Sequence, residues 1–326
     1  MYETELKIGI HAVKTAMRMT KLIQKDLSST DAITKKDKSP VTIADFLSQA
    51  IICHYLNDGL PYLPIVAEED SAALQEEKNS AVLEKIHYYI DQDKEVADFL
   101  NKKNLFEKID LGGKEPGGTF WTLDPIDGTK GFLRGEQFAI ALGLIVDGQV
   151  KIGILGCPNL ELQESHTGCL VYAVHGEGSF VLDSETGKPE KIAISAIEDP
   201  RDMRFVESYV SAHSNMDMQL KIAKTLNIGQ DPVQMDSQVK YSMVSGGKAE
   251  IYLRIPHPKT PDYKEKIWDH AAGSLIVEEA GGVVSDIFGK KLDFSAGKTL
   301  ANNSGILASV PCIHKKIVAT IGDLKN

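Results

Sequence analysis

Two aspartates stand three residues apart in the stretch WTLDPIDGTKGF. Asp124 and Asp127 follow an apolar run that predicts a strand, and Pro125 with Gly128 predicts that the strand ends here. On such a turn, both carboxylates and the backbone carbonyl between them can face the same point. Oxygen ligands of this kind suit Mg²⁺. The alternative is a turn in which the two aspartates cap the following helix.

Gly128 and Thr129 add a second chemical feature directly after these acids. Glycine lets the backbone approach a ligand closely, and the amides after it open a short helix that we predict in KGFLRG. The free N–H groups at a helix N-terminus attract phosphate. Carboxylates that hold a metal beside a phosphate-binding turn are typical of a phosphoryl-transfer site.

Three acids in a row end the segment PYLPIVAEED, which is predicted to form a short buried strand. Glu68 could join Asp124 and Asp127 at a metal, with a place on a solvated loop as the alternative. Glu69 and Asp70 are predicted to lie on a solvated loop.

Two further acids stand at predicted helix starts. Asp45 follows Thr42 by three residues, which resembles a capping box before the apolar helix that continues through FLSQAIICHYL. Asp269 opens the predicted helix DHAAGSLIVEEA, where a plain N-cap is the alternative role. Taken singly, both residues favour capping, because helix caps are far commoner than metal sites.

The chain lacks the motifs of several other enzyme classes. Its nine histidines include no HExxH, so a zinc hydrolase is disfavoured. GxSxG and GxxxxGK[ST] are also absent from the sequence. The side chains that remain for chemistry are mainly oxygen ligands.

The net charge and the cysteines indicate which binding partners and which cellular compartment are favoured. The 326 residues carry a net charge of −10, and an acidic chain is a poor candidate for binding a nucleic-acid polymer. The four cysteines lack CxxC spacing, which favours a reduced compartment. The N-terminus does not resemble a signal peptide, and no apolar run reaches the roughly 20 residues of a bilayer helix. We therefore predict a cytoplasmic protein, with the nucleus as a second compartment, and no membrane partner.

Helices and strands must position the acids. Apolar residues at helical spacing predict a first helix through Leu6, Ile10, Val13 and Met17, and Thr42 predicts the N-cap of a second. The runs FAIALGLIV and QVKIGILGCP, joined by Asp-Gly, predict a β-hairpin. The stretches LVYAVHGEGSFVLD and KPEKIAIS continue as strands, and residues 74–120 are predicted to form helices and loops of unassigned role.

After Pro200 the pattern changes to alternating strands and helices. RFVES and KAEIYLRIP predict strands, and MDMQLKIAKTL predicts a helix. We therefore predict two domains: an antiparallel-rich α+β domain over residues 1–198 that holds most metal ligands, and an α/β domain over residues 199–326 that completes the site. A cleft between domains is a common place for ligands.

Four motifs together resemble one known family. KSPVTIAD, VAEE, WTLDPIDGTKGF and WDHAAGSLIVEEAGG occur in that order and look like the motifs of the inositol monophosphatase superfamily. These proteins are Mg²⁺-dependent, lithium-sensitive phosphatases. The resemblance implies a layered αβαβα sandwich of the type shared with fructose 1,6-bisphosphatase. It also implies in-line attack of a metal-activated water, without a phosphoenzyme.

Within the superfamily, the second half is most similar to the 3′(2′),5′-bisphosphate nucleotidases. The stretches that carry this similarity are DSQVKY, EIYLRIP, YKEKIWDHAAG and VES…AHS. The resemblance implies a small bisphosphorylated nucleotide as substrate. The 3′-phosphate of 3′-phosphoadenosine 5′-phosphate would be removed to give AMP. The sulfated nucleotide and inositol 1,4-bisphosphate are further candidate substrates.

The resemblance also implies roles for individual residues. Two or three Mg²⁺ ions would be bound by Glu68, Asp124, the Ile126 carbonyl, Asp127 and Asp269. Asp45 and Thr129 would orient and deprotonate the attacking water. The scissile phosphate would lie on Gly128 and Thr129, and the nucleotide would contact His213, Ser237, Lys240 and Arg254, with the cations facing the 5′-phosphate.

Three alternatives remain open from the sequence. The same chemistry could act on inositol monophosphate or a polyphosphate. A phosphoaspartyl enzyme could use Asp124 as nucleophile, although that chemistry usually has its second acid two residues on. A non-catalytic metal-binding protein could retain the same ligands.

Overall fold

The computed structural model describes residues 2–26, 32–34, 40–162, 168–182, 187–209 and 215–325. The α-helices of these ranges are α1 (Glu3–Lys25), α2 (Ile43–Gly59), α3 (Ser80–Asp91), α4 (Lys94–Phe99), α5 (Leu105–Asp110), α6 (Thr129–Leu133), α7 (Met216–Leu226), α8 (Val239–Ser245), α9 (Ala271–Glu279) and α10 (Pro311–Lys325). The strands are β1 (Ala32–Thr34), β2 (Pro40–Thr42), β3 (Ile65–Ala67), β4 (Thr119–Asp127), β5 (Ala139–Val146), β6 (Gln149–Cys157), β7 (Cys169–Val174), β8 (Gly178–Leu182), β9 (Pro189–Ile192), β10 (Phe205–Glu207), β11 (Val233–Gln234), β12 (Ile251–Arg254), β13 (Val283–Ser285) and β14 (Ile306–Ser309).

Two sheets organise the described residues. The larger sheet has seven strands in the order β3-β4-β5-β6-β7-β8-β9 and is antiparallel except for the parallel pair β3 and β4. The smaller sheet has five strands in the order β11-β10-β12-β14-β13, with β10 parallel to both of its neighbours. Strands β1 and β2 form a separate antiparallel pair.

Helices and sheets alternate in five layers. Helices α1 and α2 pack together and cover one face of the seven-stranded sheet. Helices α8 and α9 lie between the two sheets and contact both. Helices α7 and α10 pack together beyond the five-stranded sheet and share a hydrophobic core with it. The predicted αβαβα sandwich is confirmed.

The seven-stranded sheet separates two cores because its side chains alternate between faces. Ile140 and Leu142 of β5 pack in the core with α1 and α2, whereas Ala139 and Ala141 pack in the core with α9. The predicted hairpin between β5 and β6 is confirmed, and its turn residues Asp147 and Gly148 have φ of 49° and 74°. Short side chains on the α9 side let that helix lie close to the sheet.

Gly153 on β6 marks the closest approach of α9 to the sheet. A Cβ atom at this position would lie 2.5 Å from the backbone oxygen of Ala272. Because main-chain atoms cannot yield, we expect Gly153→Ala to lower the free energy of unfolding by about 1–3 kcal/mol, measured by urea denaturation. Gly117→Ala is the matched control, since a Cβ there meets nothing within 4 Å. Equal stability of the two variants would contradict this packing.

The helical prediction for residues 74–120 is confirmed by α3, α4 and α5, of which α3 and α5 pack against α2. The seven-stranded sheet ends at Ile192 and the five-stranded sheet begins at Phe205. Because α9 packs against both sheets, the division into two domains near residue 198 stays a prediction. Within the described ranges, no helix has the length and apolar character needed to span a membrane.

Candidate active site

A cavity of about 430 Å³ opens between the two sheets, and we call it the central cavity. Five acids line it: the four predicted metal ligands Glu68, Asp124, Asp127 and Asp269, and Asp236, which forms an ion pair with Arg134. Polar and cationic side chains line it as well, among them Ser208, Ser237, Lys240, Arg254 and Lys266. Three aromatic residues also line the cavity, namely Tyr252, Tyr263 and Trp268. The structure therefore brings together acids from distant parts of the sequence, as predicted.

Strand β4 carries two of these acids and does not end at Pro125. It continues to Asp127, and its register with β5 shifts between Asp124 and Asp127. The proline falls in this irregular segment, where its missing N–H disrupts no regular ladder. Its carbonyl accepts a hydrogen bond from the Ser48 hydroxyl at 2.9 Å. The strand therefore ends directly before Gly128, as predicted, but it runs two residues past Pro125, and its last part from Asp124 to Asp127 is irregular.

The turn that the sequence predicts to bind phosphate, at Gly128 and Thr129, follows the irregular end of β4. Gly128 has φ of 87° and is the N-cap residue of α6, with no side-chain cap hydrogen bond. The alternative in which Asp124 and Asp127 cap this helix is therefore not observed. A Cβ on Gly128 would lie 2.8 Å from the Cβ of Ser237, so the turn depends on glycine for its conformation and for its contact. The Thr129 hydroxyl donates to the Ile126 carbonyl at 3.2 Å.

Glu68 and its two neighbours have different environments. Glu68 follows β3 and is held beside β4 by a hydrogen bond from its N–H to the Leu123 carbonyl at 3.2 Å. Glu69 is buried, because its N–H donates to Gln49 Oε1 at 3.0 Å and its carbonyl accepts from Gln49 Nε2 at 2.6 Å. The prediction of a solvated Glu69 is therefore wrong, whereas Asp70 is exposed as predicted.

Asp269 is not the N-cap of its helix. The N-cap residue of α9 is His270, and the helix begins at Ala271. The Asp269 side chain instead lines the central cavity. The capping role considered from the sequence is therefore wrong.

Gln238 joins the segments that carry Asp127 and Asp269, and sequence reasoning missed it. Its backbone N–H donates to Asp127 Oδ2 at 2.5 Å, and its side-chain Nε2 donates to the Trp268 carbonyl at 2.8 Å. Its Oε1 accepts from the Gly273 N–H at 3.2 Å. Gln238 lies within DSQVKY, a stretch that the sequence analysis linked to the nucleotidases, but only Ser237 and Lys240 of that stretch were assigned a role.

Asp45 forms the capping box that its spacing predicts. Its Oδ2 accepts from the Thr42 N–H at 2.8 Å and from the Thr42 hydroxyl at 2.6 Å. The side chain is buried and is not among the described residues that line the central cavity. Its charge still contributes to raising the pKa of Asp124. The catalytic pairing of Asp45 with Thr129 stays a prediction.

The acids of the central cavity repel one another. Burial and the charges of Glu68, Asp127 and Asp269 raise the pKa of Asp124 well above its usual range. Burial and neighbouring carboxylates raise the pKa of Asp269 in the same direction. Burial raises the pKa of Asp127 to about 6, although the Lys240 ammonium opposes it. A cluster of oxygen donors that is destabilised by its own charge fits a hard divalent cation.

Three of the residues predicted to contact the nucleotide lie in the described part of the chain, and all three line the central cavity: Ser237, Lys240 and Arg254. Burial lowers the pKa of Lys240 to about 8, and its Nζ lies 5.3 Å from the Tyr252 ring centroid. Arg254 Nε donates to Glu265 Oε1 at 2.8 Å. Ser237 has φ of 68° and packs against Gly128. His213 lies outside the described residues.

Comparisons with known proteins show the family to which the chain belongs. The model of the inositol monophosphatase family matches residues 4–325. A 3′(2′),5′-bisphosphate nucleotidase of Schizosaccharomyces pombe is 41% identical, covering 97% of this chain and 94% of its own length. The nucleotidase of the same name from Dictyostelium discoideum is also 41% identical, over 96% of this chain and 95% of its own length.

Solved structures show the same fold at lower identity. An IMPase from Thermotoga maritima has a TM-score of 0.66 and 20% identity, covering 99% of this chain and 98% of its own. An inositol monophosphatase from an Anabaena species has a TM-score of 0.63 and 17% identity, and the match covers 98% of this chain and 96% of the Anabaena chain.

The family model and the nucleotidase relatives confirm the predicted class of protein, a phosphoric monoester hydrolase. The chain belongs to the inositol monophosphatase family. The members of this family act on small phosphorylated molecules.

The raised pKa values predict how magnesium affects stability. A carboxyl group whose pKa is higher in the folded state stabilises the protein below its unfolded pKa, and this stabilisation is lost as pH rises through the folded pKa. With Asp127 at about 6 and Asp124 and Asp269 also raised, metal-free protein should lose stability above pH 4 and through pH 6.

We therefore expect Mg²⁺ to raise Tm by roughly 5 °C at pH 7.5 and by less at pH 5. Differential scanning fluorimetry of chelator-treated protein measures both shifts. An equal shift at both pH values would contradict repulsion among these acids.

Proposed function

We propose that this chain removes the 3′-phosphate of 3′-phosphoadenosine 5′-phosphate to give AMP, in a reaction that requires Mg²⁺ and is inhibited by Li⁺. The sulfated nucleotide and inositol 1,4-bisphosphate are proposed as further substrates. The observation that supports this most strongly is that one cavity holds both the four acids predicted to bind metal and the cations Lys240 and Arg254. In a substrate with two phosphates, one phosphate would lie at the metal held by the acids, and the other would lie at the two cations.

The residues proposed to hold Mg²⁺, as two or three ions, are Glu68, Asp124, Asp127 and Asp269 with the carbonyl of Ile126. All five line the central cavity. When bound, Mg²⁺ supplies positive charge to the phosphate oxygens and makes the attacking water more acidic. Lithium inhibition would follow from a small cation that competes for the same carboxylates.

The scissile phosphate is proposed to lie on the turn at Gly128 and Thr129. The turn has no Cβ at its first residue, so the backbone can approach an anion closely. The Thr129 hydroxyl, which donates to the Ile126 carbonyl, is proposed to act together with Asp45 to orient and deprotonate the attacking water. Attack in line with the leaving 3′-oxygen needs no covalent intermediate on the protein.

Lys240 and Arg254 are proposed to bind the 5′-phosphate, with Ser237 and His213 as further contacts to the nucleotide. Both cations are largely buried at the cavity wall, where a charge acts more strongly than in water. Inositol monophosphate offers no second phosphate for them, so this pair favours the nucleotide. The relatives at 39–41% identity that carry the nucleotidase name support the same choice.

Phosphate release from a small substrate panel tests this proposal. We expect 3′-phosphoadenosine 5′-phosphate to exceed inositol 1-phosphate in kcat/KM by roughly a hundredfold or more, because one phosphate contact would be missing. Activity should vanish with chelator, return with Mg²⁺ and fall with Li⁺. Preference for inositol phosphate would support the inositol phosphatase alternative instead. Trapping an acyl phosphate on Asp124 would support a phosphoaspartyl enzyme, and no release from any substrate would support a non-catalytic protein.

A reduced compartment is proposed as the site of this activity, with the cytoplasm first and the nucleus second. All four cysteines are free thiols, and three of them are buried. Thiols that remain unpaired are typical of reducing surroundings.

A further inference from the structure

A buried chain of three hydrogen bonds lies behind the cavity wall at Arg254. The Arg254 guanidinium donates through Nε to Glu265 Oε1 at 2.8 Å. The other oxygen, Glu265 Oε2, lies 3.2 Å from His270 Nε2, and His270 Nδ1 lies 2.9 Å from the Tyr241 hydroxyl. Arg254 lines the central cavity, whereas the other three are not among its described lining residues.

The chemistry of these groups fixes the direction of each hydrogen bond. The Arg254 guanidinium and the His270 contact hold the pKa of Glu265 to about 2, even though burial raises it. An ionised carboxylate only accepts, so Arg254 Nε and His270 Nε2 both donate to Glu265. A neutral imidazole that donates through Nε2 accepts at Nδ1, so the Tyr241 hydroxyl donates to it.

The chain of hydrogen bonds is anchored to two rigid parts of the fold. The Glu265 carbonyl accepts from the Leu300 N–H at 2.8 Å. Tyr241 lies against α9 at Gly273, where a Cβ would come within 2.2 Å of the tyrosine ring. Glu265, His270 and Tyr241 are 3%, 1% and 0% exposed. These side chains therefore have little freedom to change their orientation.

A metal is a poor occupant for this group. Ligand atoms of Glu265, Asp269 and His270 lie within 4.8 Å of one another, which is the spacing of a possible metal cluster. Both Glu265 oxygens and both His270 nitrogens are already used in the hydrogen bonds above. The adjacent guanidinium would also repel a cation. The group is arranged to hold Arg254 instead.

We propose that Glu265 is a positioning residue that orients the Arg254 guanidinium to bind the substrate phosphate that is not hydrolysed. This inference rests on the proposed function. Glu265 takes the Nε hydrogen bond, and Tyr252, which also lines the central cavity, is a second hydrogen-bond partner of the guanidinium. The planar fork of the terminal nitrogens matches phosphate oxygens. His270 and Tyr241 hold Glu265 in turn. Buried ion pairs are often no more stabilising than apolar residues of the same volume, so this pair is better explained by binding than by stability.

Two nucleotides that differ by one phosphate separate this role from a structural one. We expect Glu265→Gln to raise KM for 3′-phosphoadenosine 5′-phosphate roughly tenfold, with kcat nearly unchanged. For adenosine 3′-monophosphate, which lacks the 5′-phosphate, KM and kcat should both stay near wild type. Tyr241→Phe, two hydrogen bonds away, should show the same substrate-selective rise at roughly threefold.

Glu250→Gln is the matched control. Glu250 directly precedes β12, is as buried as Glu265, and accepts from the Arg204 N–H at 2.9 Å. We expect this variant to leave the constants for both nucleotides near wild type. Thermal denaturation of each variant checks that it is folded, and Tyr241→Phe carries the test if Glu265→Gln does not fold.

Two results would overturn the inference while leaving the proposed function intact. One is a Glu265→Gln enzyme that keeps the wild-type KM for the bisphosphate. The other is an equal rise of KM for both nucleotides, which would indicate a general disturbance of the cavity. If the wild-type protein hydrolyses neither nucleotide, the proposed function fails and the inference fails with it.

Discussion

Asp124→Asn is expected to reduce phosphate release by roughly a thousandfold while the protein stays folded. Asp124 is buried among Glu68, Asp127 and Asp269, and its carboxylate supplies charge that an amide of the same shape cannot. Removing one of several mutually repelling acids should also raise Tm of the metal-free protein. Steady-state assays with Mg²⁺ and thermal denaturation with chelator measure the two effects.

Asp286→Asn serves as the control for this variant. Asp286 is equally buried but accepts from the Phe288 and Lys290 N–H groups, away from the described lining of the central cavity. Asp286→Asn should keep its activity and lose stability, whereas Asp124→Asn should lose activity and gain stability in the metal-free protein. Wild-type Mg²⁺-dependent hydrolysis by Asp124→Asn would remove this residue from the metal site.

Gly128→Ala is the second substitution with a large expected effect. Its φ of 87° strains any residue with a Cβ, and the new methyl would lie 2.8 Å from the Ser237 Cβ. The turn at Gly128, which is proposed to bind the scissile phosphate, would have to move, and a shift of about 1 Å in a reacting group lowers activity roughly a hundredfold. We expect a loss of that size in kcat/KM, with about 1–2 kcal/mol of lost stability from the backbone strain.

Gly135→Ala separates the effect of backbone strain from the effect of moving the turn. Gly135 has φ of 74°, but a Cβ there meets nothing within 4 Å. This control should show the loss of stability without the loss of activity. If both variants kept full activity, the turn at Gly128 would not be the seat of the phosphate.

Local features of the sequence were sufficient to predict several elements. The Asp147-Gly148 hairpin and the Thr42 cap each depend on a few neighbouring residues, whose turn and capping preferences act locally. The four motifs located the acids Glu68, Asp124, Asp127 and Asp269, and the structure gathers them in one cavity.

Features that depend on distant partners could not be predicted in this way. The burial of Glu69 is caused by Gln49, twenty residues earlier, and the bulge in β4 is accommodated by its neighbour β5. Helix α8 was missed because all seven of its residues, polar and apolar alike, are buried, so its sequence lacks the alternation of exposed polar and buried apolar faces that marks a surface helix. The pairing of Arg254 with Glu265 likewise appears only when β12 and the segment before α9 meet.

Anomalous scattering from a crystal soaked in Mn²⁺, used in place of Mg²⁺, tests most directly whether the four acids form one metal site. We expect anomalous peaks within the central cavity, in contact with carboxylates from both halves of the chain, including Asp124 and Asp269. A cavity without anomalous density, in crystals that hold Mn²⁺ elsewhere, would contradict a metal-dependent phosphatase site at this position.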